Sequence, residues 1–107
     1  MKPLTIHAEA QAEVQTAIAY YDSQREGLGL EFLLELERVF QKIQDMPRSA
    51  ASLDKRGTRK RLLRRFPYTV YYAEFDESIW IVAVAHQKRR PGYWTDRMPP
   101  TTTNGNT

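Results

Sequence analysis

The sequence predicts an α+β fold: an N-terminal strand, then a helical hairpin packed on a small antiparallel sheet, in the order β-α-α-β-β-β. Three observations predict it. Apolar residues recur at helical spacing from Ala8 to Met46, with two glycines in the middle. After Pro47 the period changes to two. The last apolar run, Ile79 to Ala85, is short and rich in β-branched residues, as a buried strand requires.

Each element follows from its residues. Residues 2–7 read as a short strand, with Leu4 and Ile6 alternating. In the first helix Ala10, Val14, Ala17 and Tyr21 share a face, with Ile18 beside them. Glu9 and Glu13 lie in its first turns, where the helix dipole favours acids, and it ends near Arg25. Gly27 and Gly29 supply a tight connection. A second helix spans about Leu28 to Met46, with Phe32, Leu33, Leu36, Val39, Phe40 and Ile43 as its apolar stripe, and Pro47 stops it. After a loop over 48–58, Lys60 to Phe66 form a strand that Pro67 breaks. Tyr68 to Phe75 alternate Tyr68, Val70 and Tyr72 against Thr69, Tyr71 and Ala73. A turn over 76–78 leads to the strand Ile79–Ala85, with His86 at its end. Its near-continuous apolarity predicts cover on at least one face. The close spacing of these three strands predicts an antiparallel meander. The hairpin buries its stripe on the sheet. Residues 1–97 form one domain, and the polar stretch 98–107 is expected to be a disordered tail.

Composition removes several classes of function. The 107 residues include no cysteine, which excludes disulfides, thiolate metal sites and a cysteine nucleophile. No apolar run approaches the roughly 18 residues of a membrane span, and the start does not read as a signal peptide. A cytoplasmic location is expected. The two histidines, His7 and His86, are far apart with no carboxylate cluster beside either, so neither metal nor cofactor is expected. The net charge of +3 hides an asymmetry. Residues 1–54 carry five Lys/Arg against nine Asp/Glu; residues 55–107 carry eleven against four. The basic half points to an anionic partner.

Two segments concentrate that charge. Between Lys55 and Arg65 stand Lys55, Arg56, Arg59, Lys60, Arg61, Arg64 and Arg65, with no acid among them. On a strand Arg59, Arg61 and Arg65 project to one face, and Lys60 and Arg64 to the other. Basic residues also protect sheet edges, but one or two would suffice for that. The second segment runs from His86 through Lys88, Arg89, Arg90, Tyr93 and Trp94 to Arg97. Arginine suits phosphate through its planar fork, and aromatic rings suit stacked bases. His86 or Tyr93 could move a proton. The plain alternatives are a hydrogen-bonded structural histidine, and a Tyr93–Trp94 pair that folds the C-terminus onto the core. Glu31 and Glu35 read as solvated helix surface.

Several short segments, in this order and spacing, resemble the RelE/ParE toxin superfamily. They are Ala19-Tyr20-Tyr21, Gly27-Leu28-Gly29 with Phe32, Ile43 with Pro47, Arg65-Phe66-Pro67-Tyr68 with Val70 and Tyr72, and Ile81 to Val84 leading into His86, Arg89-Arg90-Pro91, Tyr93-Trp94 and Arg97. The family comprises toxins of type II toxin–antitoxin modules, including plasmid stabilisation proteins. The resemblance implies a cognate antitoxin as partner, and one of two activities. RelE-like members are ribosome-dependent nucleases that cut mRNA without metal; ParE-like members share the fold and poison DNA gyrase without catalytic residues of their own. Tyr93 matches the nuclease tyrosine, and Lys60, Arg61 or Arg64 could meet its basic pair. Thr69 stands where the nucleases carry a strand arginine. Gln87 stands where they carry a second, although a slip in register would supply Lys88 or Arg89. A nuclease of this type would use Tyr93 and His86 as proton carriers, with Arg65, Arg89 and Arg90 on the phosphate. The Phe66-Pro67-Tyr68 junction and the His86 to Arg90 run resemble the ParE branch more closely. The leading expectation is therefore a gyrase inhibitor whose binding surface includes Lys60, Arg61, Arg64, Arg65, Lys88, Arg89, Arg90 and Arg97. The alternatives are the mRNA endonuclease acting on the ribosome, and a non-toxic relic that only binds antitoxin.

Overall fold

A computed structural model describes residues 1–98. The order is β1 (Leu4–Ile6), α1 (Ala8–Gln24), α2 (Leu28–Asp45), β2 (Arg59–Leu62), β3 (Tyr68–Glu74), β4 (Ile79–His86) and a final 3-10 turn over Thr95–Arg97. The strands form one sheet in the order β1-β4-β3-β2. The meander β2-β3-β4 is antiparallel, as its spacing predicts. β1 adds to the far side of β4 in parallel.

The helical hairpin packs its apolar stripe on one face. Phe32, Leu36 and Ile43 from α2 and Val14 and Ala17 from α1 meet Val70, Tyr72, Ile79, Ile81 and Val84. Gly29 makes the close helix crossing possible: a Cβ there would lie 2.6 Å from the backbone oxygen of Ile18. The connection itself turns at Gly27, whose φ of 88° favours glycine.

The near-continuous apolarity of β4 has two causes. Tyr71 pairs with Ala83 and Tyr72 with Ile81, which leaves Val82 as an extra residue. This bulge re-aims the strand. The opposite sheet face is also covered: Val82, Ala83 and Ala73 pack under Trp94 and Met98. The reading of Trp94 as a residue that folds the C-terminus back is the one observed.

Two boundaries differ from expectation. β2 ends at Leu62, not Phe66, so Arg64 and Arg65 lie in a turn and not on opposite strand faces. The cause is Glu35: its carboxylate accepts from the backbone N–H groups of Arg64 and Arg65, at 3.1 Å for Arg65, and draws them from the ladder. The expected tail lies outside the described residues except for Met98, which is buried because it completes the apolar cover over Val82 and Ala83.

Candidate target-binding surface

The first basic segment is sorted by the fold into inward and outward members. Arg59 and Arg61 pair across from Tyr72 and Val70, on the helix face of the sheet. There Arg59 donates to the Ala50 carbonyl and Arg61 to the Ser49 hydroxyl, bracing the loop after α2. Arg65 reaches Glu31 at 2.5 Å, and Arg25 holds the other oxygen of Glu31 at 3.1 Å. These two arginines hold the Glu31 carboxyl below the usual range, Arg65 contributing most. Glu31 and Glu35 are thus not free helix surface: one is doubly ion-paired, and the other is buried under two backbone donors. Lys60 and Arg64 remain exposed. A groove of about 560 Å³ runs between α2 and β2, lined by Arg38, Val39, Lys42, Arg61, Leu62 and Arg64 among others.

The second segment centres on a residue that composition could not single out, Glu13. Its carboxylate accepts from the Tyr93 hydroxyl at 2.6 Å and from Arg97 through both Nη1 and Nη2 at 3.0 Å. It also accepts from the backbone N–H of Val84 at 3.0 Å. Arg97 reaches the Val82 carbonyl at 3.3 Å as well. β1 is only three residues long and leaves this part of the β4 edge bare. The Glu13–Arg97 pair therefore satisfies backbone groups that a longer β1 would have bonded. With side-chain exposures of 15% and 8%, the pair is nearly dry.

That arrangement changes the chemistry of Tyr93. Burial, then the hydrogen bond and charge of Glu13, push its pKa far above the ordinary phenol value. A phenol so held donates to a carboxylate and resists ionising, which is opposite to what a general base needs. Arg89 stacks on its ring, 3.9 Å from Cζ to the centroid, with Arg97 at 5.0 Å. His86 is also engaged: Nδ1 accepts from the Lys88 N–H at 3.0 Å, and its ring meets Tyr68 edge-on at 5.3 Å. Arg97, expected at the binding surface, is instead a buried structural cation. Thr69 is buried on β3, neutral where the nucleases carry an arginine, and Gln87 is exposed with its N–H on the Pro67 carbonyl at 2.8 Å.

The fold also joins what the sequence separates. The Tyr68–His86 pair and the Gln87–Pro67 bond set the 64–67 turn beside the 87–90 turn. Arg64, Lys88, Arg89 and Arg90 are exposed at that end of the molecule. Among the described residues no three His, Asp or Glu side chains converge as metal ligands, and no helix is long and apolar enough to cross a membrane.

The family model for the ParE toxin of the type II toxin–antitoxin system, parDE, matches residues 4–91. The chain belongs to the ParE toxin family. A solved structure of a chromosomal ParDE toxin–antitoxin system from P. aeruginosa contains a similar chain, at a TM-score of 0.63 and 15% identity. The match covers 80% of the present chain and 96% of that one, and at this identity it speaks for the fold. No curated protein matches. The ParE match stops before Tyr93 and Arg97, so the Glu13 clasp ties a C-terminal extension of the matched region to α1.

Proposed function

We infer that this ParE-family toxin acts by binding, as an inhibitor of DNA gyrase, and that a cognate antitoxin neutralises it. The observation that carries this reading is the state of Tyr93. The residue that would serve a nuclease as proton carrier has its hydroxyl committed to Glu13 and its ionisation suppressed. Thr69 supplies no charge for a pentavalent phosphate, and Arg97 is already neutralised. What remains is an exposed cationic end formed by Arg64 and Lys88–Arg90, suited to holding a partner and not to proton transfer. The antitoxin reading is supported by the α2–β2 groove, where Arg38, Lys42 and Arg64 surround Val39 and Leu62. An acidic segment with apolar anchors complements that lining, folding as it binds.

The test uses purified gyrase. The toxin is expected to block supercoiling and to trap a cleaved DNA complex, and added antitoxin is expected to reverse both. Unimpaired supercoiling together with cut codons in ribosome-bound messages would replace this reading with the nuclease one.

A further inference from the structure

At the cationic end a shallow trough runs between α1 and the ends of β3 and β4. It consists of two adjoining clefts, about 360 and 550 Å³, that share Thr16, Tyr68 and His86. The larger cleft has no Asp, Glu, Lys or Arg among its lining residues and is lined mainly by rings: Tyr20, Tyr21, Tyr68, Pro67 and His86. Tyr20 is 55% exposed, unusual for a large ring, and meets Tyr21 edge-on at 5.2 Å. The smaller cleft is bounded by Arg89. Its acids do not dominate, since Glu13 is consumed by Arg97, Tyr93 and Val84, and Glu9 lies 3.9 Å from Arg97. Lys88 is tied to the trough through its backbone N–H on His86 Nδ1, and Arg90 lines a further cleft together with Arg89. Neither Lys88 nor Arg90 has a carboxylate partner among the described residues.

We propose that this trough binds single-stranded nucleic acid directly, with an unpaired base against Tyr20 and the backbone phosphates on Lys88, Arg89 and Arg90. Exposed rings beside unpaired cations are what sequence-tolerant recognition of single strands uses. A base within a duplex hides its faces in the stack, so the ring-lined cleft favours single strands over duplex. The separate basic groove beside α2 has no ring among its lining residues, so the two surfaces differ in chemistry. This binding does not depend on gyrase, and its test contains none, so either idea stands or falls without the other.

The experiment is fluorescence anisotropy with a labelled oligo-dT about ten nucleotides long, against a duplex of equal length and a polyglutamate peptide. The full chain is expected to prefer oligo-dT, with affinity falling as salt rises. Tyr20→Ser is expected to weaken binding about tenfold at an unchanged salt slope, and Tyr20→Phe to retain it. The double variant Lys88→Glu/Arg90→Glu is expected to lower the log–log salt slope by about 1.4. Lys55→Glu, in another turn, is expected to bind as the parent does. Equal binding of duplex or polyglutamate, or wild-type binding by Tyr20→Ser, would overturn the proposal. Both residues of the double variant are exposed, so an unchanged slope there overturns it even if the Tyr20 variant fails to fold.

Discussion

The two basic segments are alike in sequence and unlike in the folded chain. In the first, Arg59 and Arg61 spend their donors on the loop after α2, and Arg65 pairs with Glu31 at the surface. In the second, Arg97 is buried against Glu13, while Lys88, Arg89 and Arg90 stay in solvent. A run of positive charge is thus a mixture of braces and free cations. Strand register and the position of carboxylates on the helices decide which is which. The braces should respond to mutation through stability, and the free cations through binding.

The strongest test of that division is the clasp. Arg97→Met leaves the Glu13 carboxylate in a nearly dry site with only Tyr93 and Val84 as donors. Breaking a buried pair this way is expected to cost about 3 kcal/mol, read from urea unfolding. A loss under about 1 kcal/mol would place the clasp with ordinary surface pairs and erase the contrast. The double change Glu13→Gln/Arg97→Met should cost less than the two single changes together, because they share one interaction. Next in size is Glu35→Ala, which strips the carboxylate from the N–H groups of Arg64 and Arg65. About 2 kcal/mol is expected, with an ordered 64–67 turn lost from hydrogen-exchange protection.

The fold was readable because its signals are local. Both helices begin and end within a residue or so of the bounds the sequence predicts, Ala8 to about Arg25 and about Leu28 to Met46, and the Gly27 turn and the Pro47 stop act where they stand. The ends of the basic segments were not readable, because their fates depend on residues distant in sequence. Glu13 lies 84 residues from Arg97, and Glu35 lies 29 from Arg64. No periodicity distinguishes Glu13, which binds Arg97, from Glu37, which is exposed on α2. The β4 bulge is also invisible to a two-residue pattern: Val82 and Ala83 both read as apolar, and only pairing shows which is extra. The one available signal was indirect. Trp94 and Met98 were too apolar for an exposed tail, and their cover over β4 is what brings Arg97 to Glu13.

Smaller effects sharpen the comparison. Arg61→Ala and Arg59→Ala are each expected to cost about 1 kcal/mol, the size of an ordinary hydrogen bond, through the loss of the loop brace. Neither should alter the proposed inhibition of gyrase. Lys88→Glu/Arg90→Glu should do the reverse: an unchanged melting temperature with inhibition reduced at least tenfold. If the Arg61 variant lost inhibition at full stability, the braces would themselves be contacts.

The smallest expected effect concerns pH. Lys2, through its hydrogen bond at 2.8 Å, and then Arg48, also at 2.8 Å, hold the Glu74 carboxyl below the usual carboxylate range. Its folded pKa is therefore lower than its unfolded one. The stability it contributes is complete above the ordinary carboxylate pKa and is lost as pH falls through the folded value, since the unfolded chain takes up the proton first. Glu74→Gln should leave stability lower by less than about 1 kcal/mol at neutral pH. It should leave the stability of parent and variant equal once the acid limb has been crossed. Urea midpoints across that limb measure both. A gap that persisted in acid would mean that Glu74 acts through packing at the end of β3 and not through its charge.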